Sequence, residues 1–476
     1  MIHQYQSKGY NIVLDVNSGS VHVVDDLGYE LIGKIEKDVE AGLSSDAILQ
    51  KYSQEQYITS AGVTCAPQEI KETVEEILEL KEQGMLYAKD IYEPYIDQFM
   101  NRETVVKAMC LHIAHDCNLA CKYCFAGEGE YHGDRGLMSF EVGKKALDFL
   151  IQNSGNRVNL EVDFFGGEPL LNWDVVKQLV QYGREMEKIH NKKFRFTLTT
   201  NGTLLNDEIL EFANKEMSNL VLSIDGRKEV NDRMRPHRGG QGSYDKIVPK
   251  YIKAAESRNQ TNYYVRGTYT HYNTDFAADV LHMADLGFQQ ISVEPVVAPA
   301  DAPYALTEED IPILLEQYDL LADEMLKRKK AGRGFNFFHF MIDLEGGPCV
   351  AKRLSGCGSG CEYLAVTPWG DFYPCHQFVG QQEFLTGNVD EGITNKEIQK
   401  MFHNCNVYSK EACRNCFAKF YCSGGCAANA YNFTGNIHGN YKIGCELQKK
   451  RIECAIMMKV AEANLEEDGN DSEKTP

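Results

Sequence analysis

The chain has 476 residues, 43% hydrophobic and 25% charged, which is the composition of a folded polypeptide with room for two or three cores. Its net charge of -20 argues against a general nucleic-acid binder, and no apolar run reaches the roughly 18 residues that span a bilayer. Sixteen cysteines, most of them within Cys110–Cys124 and Cys349–Cys454, point to metal rather than to disulfides in a reducing compartment. The opening Met1–Gln6 has no basic segment followed by an apolar one, so the expectation is a cytoplasmic protein without an export signal.

Residues 1–95 read as a separate unit. Asn11–Val16 and Ser20–Val24 predict two strands around the turn Asn17-Ser18-Gly19. Helices are predicted over Asp26–Glu40, Ser45–Lys51 and Pro67–Gln83, the last with Ile70, Val74, Ile77 and Leu80 at helical spacing. Met85-Leu86-Tyr87 reads as a return strand. The unit is either a structural cap or a small winged-helix-like binding module. Residues 105–335 then alternate six strand candidates, from Ala108–Ile113 to Gln290–Pro295, with helices such as Ser139–Gln152 and Asn172–His190. That alternation predicts an α/β fold with a parallel sheet, open or partly closed as a barrel, with sites at the C-terminal strand ends. Residues 345–460 are rich in cysteine, glycine and aromatics with little periodicity, as expected of a region organised by metal. Residues 464–476 are polar and acidic and predict a disordered tail.

Cys117-x3-Cys121-x2-Cys124 directly follows the first of the six strands. Three thiolates this close can ligate three irons of a [4Fe–4S] cube and leave the fourth iron open to a small chelate. Zinc would want four protein ligands. The motif, with Tyr123 before the last cysteine and Phe125 after it, resembles the signature of the radical S-adenosylmethionine (SAM) superfamily. The resemblance implies a partial (β/α)6 barrel, a cluster on Cys117, Cys121 and Cys124, and SAM as the source of a 5′-deoxyadenosyl radical. Gly166-Gly167-Glu168-Pro169 ends the second strand and resembles the family's GGEP motif, which contacts the SAM amino group. Asn201, Ser223 and Asp225 stand where the family uses polar residues around the ribose and methionine. Arg233, Arg235 and Arg266 compete for the SAM carboxylate; each could equally be a surface or salt-bridging residue.

Cys413-x2-Cys416-x5-Cys422-x3-Cys426, followed by Cys445, is too dense for an apolar core. With Cys357, Gly370 and Cys375 upstream it resembles the SPASM domain of peptide-modifying radical SAM enzymes. The resemblance implies two auxiliary [4Fe–4S] clusters, an outer one on Cys413, Cys416, Cys422 and Cys445, and an inner one on Cys357, Cys375 and Cys426. Cys361 is either a fourth inner ligand or a free thiol. The opening residues 9–19 with residues 22–26 look like those of SCIFF peptide maturases, which begin with a RiPP recognition element. That implies capture of a SCIFF precursor peptide through its leader, intramolecular thioether formation, and a reductant such as flavodoxin or ferredoxin. In sulfatase-maturing relatives an aspartate follows the cysteine at the position of Cys375; here it is His376, which could serve as a base. Competing readings are formylglycine formation on a sulfatase, carbon–carbon or carbon–oxygen crosslinking, and a non-catalytic electron carrier or peptide-binding adaptor.

Overall fold

Three strands open the chain around a central strand buried on both faces, with Ile12 and Leu14 in the main core and Val13 in the core of the opening unit. Ile12 and Leu14 of β2 (Tyr10–Asp15) are fully buried, and β2 pairs antiparallel with β1 (Ile2–Ser7) and β3 (Val21–Val24). The computed structural model describes residues 1–53, 56–344 and 349–472. The helix Asp26–Glu40 starts where Asp25 accepts the amide of Gly28 at 2.7 Å, and it buries Leu31, Ile32 and Ile35. Those residues pack with Ile70, Val74 and Ile77 of the helix Pro67–Glu82. Each such buried side chain contributes roughly 1.5–3 kcal/mol. The helix Ser45–Tyr52 and a short hairpin, β4 (Tyr57–Ile58) and β5 (Thr64–Cys65), complete the winged-helix-like unit.

Met85–Tyr87 is not the return strand its sequence suggests. Its polar groups go to side chains and helix ends instead of a ladder. The Met85 carbonyl meets His22 Nε2 at 3.0 Å, the Tyr87 hydroxyl donates to the Ile32 carbonyl, and the Ala88 amide donates to buried Asp15 at 3.0 Å. Asp15 also takes the amides of Asn17 and Ser18, so one carboxylate ties the β2–β3 turn to the end of the unit.

The central sheet is built from β6 (Ala108–His115), β8 (Asn159–Gly166), β9 (Lys193–Thr200), β10 (Met217–Ser223), β11 (Tyr263–Tyr269) and β12 (Gln290–Pro295), all parallel and adjacent in chain order. The small β7 (Gly136–Leu137) caps β6, and β13 (Asn336–Phe337) extends the far edge. Within β8, Leu160, Val162 and Phe164 are fully buried, whereas Glu161, Asp163 and Phe165 on the other face are partly exposed. The result is the partial (β/α)6 barrel expected, with an open sheet.

The sheet does not stop at β6. The cysteine-rich region adds β14 (Tyr363–Val366), parallel to β6, then the antiparallel β15 (Asp371–Tyr373), β16 (Gly387–Asn388) and β17 (Gly392–Ile393). Cys375, just beyond β15, therefore follows the same sheet that carries Cys117, whereas Cys413 and Cys422 sit on short helices and Cys445 in the final helix. The final helix, Lys442–Ser472, packs on the helix Ile311–Lys330 through buried Ile452, Ala455 and Ile456. It continues through residues 464–472, which composition assigned to a disordered tail. Good helix formers such as Ala461 and Ala463 lead out of an already anchored helix; residues 473–476 lie outside the described part.

The first strand also fastens the unit to the opposite end of the chain. His3 stacks on Phe417 and its Nε2 lies 2.9 Å from Glu453, while Tyr5 donates to the Glu453 carbonyl at 3.0 Å. Asp90, near the end of the unit, accepts from Lys419 at 2.9 Å and Tyr408 at 2.8 Å.

Candidate functional site

The ends of β6, β8, β9 and β10 meet around a cavity of ≈ 140 Å³ lined by Cys117, Cys121, Cys124, Tyr123, Phe125, Gly166, Gly167, Asn201, Ser223 and Arg235. Sequence reasoning had picked out all of these separately. Burial pushes the Cys117 thiol up to about 12 and that of Cys121 up to about 11. Such thiols become thiolates when a positively charged metal centre takes the proton's place. Among the described residues no three His, Cys, Asp or Glu are set to hold a single metal ion. Ligands of a four-iron cube stand farther apart than ligands of one ion.

The glycines are required for a reason the motif does not reveal. Gly166 has φ +120°, and a Cβ there would lie 2.3 Å from the Ala114 carbonyl oxygen; at Gly167 it would lie 2.1 Å from that of Asp116. What comes close is the β6 end that carries Cys117. Their absence of side chains lets the amides of Gly167 and Glu168 bond Ala114 and Asp116 at 2.8 and 2.9 Å. Glu168 is fully buried and accepts from Leu170 N (3.0 Å), Thr200 Oγ1 (2.8 Å) and Asn201 N (2.8 Å), so its carboxylate joins the β8 and β9 ends. Burial raises it to about 7 despite those donors. Pro169 begins the short turn that follows.

Asp225 is the corresponding tie on the other side. It accepts the Tyr123 hydroxyl at 2.7 Å and the Thr268 amide at 3.0 Å, and burial raises it to about 6. Arg235 donates Nη1 to that same tyrosine at 2.8 Å, is 9% exposed, and keeps its Nε buried without a partner. A buried guanidinium with an unused donor, lining a cavity, fits an anionic group such as a carboxylate. The three candidate arginines are thus separated by geometry. Arg233 is exposed over the Tyr272 ring at 4.4 Å, and Arg266 faces Glu294 at 3.9 Å on β11. Asn201 donates to Asn118 at 2.8 Å and reaches Cys117 Sγ at 3.6 Å.

Three residues beside the site escaped the sequence reading. His112 Nδ1 and His115 Nε2 are 2.9 Å apart, both buried, and both pack on Tyr131, whose hydroxyl donates to the Gly166 carbonyl at 3.0 Å. The available signal was two histidines just before Cys117, hidden inside an otherwise apolar strand. His376 stands across the cavity mouth, its ring 5.5 Å from Phe125 and 5.1 Å from Phe165. Burial, with Arg266 nearby, pushes its imidazole down to about 4, so it is neutral at pH 7.

A second cavity, of ≈ 510 Å³, is lined by Cys413, Cys416, Cys422 and Cys445, together with Cys426, Glu294 and Arg451. Burial again raises the thiols of Cys416, Cys426 and Cys445, and that of Cys422 to about 12. Cys375 lies within electrostatic reach of Cys426 and Cys357. The Cys361 thiol donates to the Gln399 carbonyl at 3.3 Å and shares a small cavity with Cys357 and Cys405.

Residues 111–283 match the Radical SAM superfamily. The chain is 23% identical over 380 residues to the radical SAM cyclopropyl synthase TigE of Paramaledivibacter caminithermalis, covering 74% of each chain. It is 27% identical over 358 residues to a cysteine-type anaerobic sulfatase-maturating enzyme of Clostridium novyi, covering 71% of this chain and 92% of that one. Its fold resembles that of anSMEcpe with bound AdoMet, with a TM-score of 0.63 and 20% identity over 75% of this chain and 95% of that one. It also resembles Streptococcus suis SuiB bound to S-adenosylmethionine, with a TM-score of 0.51 and 15% identity over 92% and 97%. Among the described residues no helix is long and apolar enough to cross a membrane. The strand ends that gather Cys117, Cys121 and Cys124 therefore lie within the residues that match the Radical SAM superfamily, and that match implies SAM and a [4Fe–4S] cluster.

Proposed function

We propose that this protein is a radical SAM maturase that forms thioether crosslinks within a cysteine-containing precursor peptide of the SCIFF type. The observation that carries the reading is a pair of cysteine-lined cavities served by one sheet. One has three thiols and an unsatisfied arginine, and the other has five thiols beside Glu294 of the barrel. An electron carrier needs no anion-seeking arginine beside three thiols. The relatives named for sulfatase maturation and cyclopropyl synthesis support chemistry on a protein or peptide.

In this reading residues 105–335 form the radical SAM core and residues 345–460 a SPASM domain. Cys117, Cys121 and Cys124 hold one cluster. Cys413, Cys416, Cys422 and Cys445 hold the outer auxiliary cluster, and Cys357, Cys375 and Cys426 the inner one. When bound, SAM on a reduced cluster supplies a radical able to remove hydrogen from an unactivated carbon. Arg235 binds its carboxylate, Asn201 and Ser223 orient the sugar and methionine parts, and Phe125 shields the cavity from water. His376, packed on Phe125 and Phe165, orients the peptide thiol as a neutral hydrogen-bonding imidazole; at about 4 its ring is too weak a base to hold the thiol proton, which passes to solvent. Electrons come from a flavodoxin- or ferredoxin-like reductant.

Residues 1–95 capture the leader. Asp15 donates its amide to Ser20, so alternate partners Val13/His22 and Asn11/Val24 exchange hydrogen bonds, and Val21 and Val23 direct theirs outward. Val23 is 49% exposed, which leaves β3 as an edge for an added strand.

Incubating reconstituted enzyme with SAM, reductant and a cysteine-rich precursor peptide of the SCIFF type should remove two hydrogens per crosslink. Each crosslink should also protect one thiol from alkylation. SAM cleavage without either change overturns the reading. Formylglycine formation, suggested by the Clostridium novyi relative, predicts an aldehyde on a sulfatase-derived cysteine peptide instead. The histidine at position 376, where those enzymes place a carboxylate, counts against it.

A further inference from the structure

The cavity lined by Cys413, Cys416, Cys422 and Cys445 contains two donors that the ligand set does not need. Asn440 Nδ2 lies 3.3 Å from Cys413 Sγ and 4.0 Å from Cys445 Sγ. Its loop is pinned, because Tyr441 stacks on Phe433 at 3.9 Å and a Cβ at Gly439 would strike the Thr434 side chain. Arg451 lines the same cavity at 6% exposure. Its Nε donates to the Tyr318 hydroxyl at 2.7 Å, its Nη1 reaches Gln448 at 3.5 Å and Glu294 at 3.8 Å, and its Nη2 is buried without a partner. Glu294 is shared with His339 at 3.2 Å and Arg266 at 3.9 Å, so it does not neutralise Arg451 alone. A permanently charged guanidinium with a spare N–H is costly to bury unless an anion completes it.

We propose that Asn440 and Arg451 donate hydrogen bonds to the sulfurs of the cluster held by these four cysteines and thereby raise its reduction potential. The proposal rests on the reading of the four cysteines as cluster ligands. A thiolate-ligated cube gains negative charge on reduction, so amide and guanidinium donors at its sulfurs stabilise the reduced form more than the oxidised one. A purely structural Arg451, acting as a strut between Tyr318 and Glu294, would affect stability and leave the potential alone.

The test is a redox titration of the reconstituted full chain, followed by electron paramagnetic resonance. The outer cluster's signal is the one lost in Cys413→Ala/Cys416→Ala. Arg451→Met and Asn440→Ala should each keep their iron content and shift the midpoint of that signal to more negative potential. Arg451→Lys should recover part of the shift. An unchanged midpoint in both variants overturns the proposal, and should Arg451→Met not fold, the loop variant Asn440→Ala decides it. A preparation in which no signal depends on Cys413 and Cys416 overturns the cluster reading itself, and the proposal with it.

Discussion

The two cysteine-lined cavities are held in opposite ways. Around Cys117 the framework is regular: four strand ends, two glycines that admit a neighbouring backbone, and two buried carboxylates, Glu168 and Asp225, that tie one strand to the next. Around Cys413 the elements are short. Glu411–Arg414 and Lys419–Cys422 are four residues each, and Ser423, Gly424 and Gly425 all take positive φ. The first cavity is shaped by a hydrophobic core beneath it and would keep its outline without metal. The second draws little from regular hydrogen bonding, so bound metal is the natural source of its order.

The comparison is broken most severely by removing the thiols themselves. Replacing Cys117, Cys121 and Cys124 with alanine should abolish SAM cleavage. Iron should fall by about a third of the roughly twelve atoms of three cubes, and the thermal transition should stay where it was. Replacing Cys413 and Cys416 should instead lower the transition and expose residues 405–445 to protease. A proteolysis pattern identical for the two variants would deny the difference.

Arg235→Ala comes next. Losing a charged donor to a carboxylate costs about 1.5–3 kcal/mol, or roughly 10–150-fold in SAM affinity. Arg233→Ala and Arg266→Ala should change it by less than about threefold, because neither lines the cavity. Isothermal titration of reconstituted protein ranks the three, and any other order rejects the assignment.

Glu168 offers a pH test of the regular framework. Burial raises its carboxyl from 4.5 to about 7, so the folded state favours the protonated form. That contribution is complete below pH 4.5 and disappears as pH rises to 7, an effect on the order of 3 kcal/mol. Glu168→Gln should flatten this part of the stability curve in cofactor-free protein; chemical denaturation at pH 4.5 and 7.5 measures it. The smallest effect belongs to Cys361→Ala. Its thiol is engaged with the Gln399 carbonyl, so iron content and crosslinking should persist. Loss of the inner cluster in this variant would make Cys361 a ligand.

Where the sequence was legible, periodicity was the reason. The helix Asp26–Glu40 and the strand Gln290–Pro295 lie where the pattern places them, because caps and alternation coincide with their ends. Strands β14–β17 are two to four residues long, too short to show a period, so a sheet extension read as irregular chain. Strand β1 was missed because its His3, Gln4, Tyr5 and Gln6 look like solvent-facing polarity. His3 and Tyr5 in fact spend that polarity on Glu453. The cavity residues could be named from motifs, but the choice among three arginines could not. It depends on which guanidinium is left with a free N–H once the chain has folded, and no spacing encodes that.

The clasp of β1 on the C-terminal helix makes the small sheet polar in a mechanical sense. With His3 and Tyr5 committed to Phe417 and Glu453, the sheet is fixed in place against the C-terminal helix. A leader strand added to β3, as proposed, would then sit at a fixed offset from the barrel, with its register dictated by the outward groups of Val21 and Val23. The sheet would work as a ruler: the number of residues between the docked segment and the reacting one decides which part of a long peptide reaches the chamber.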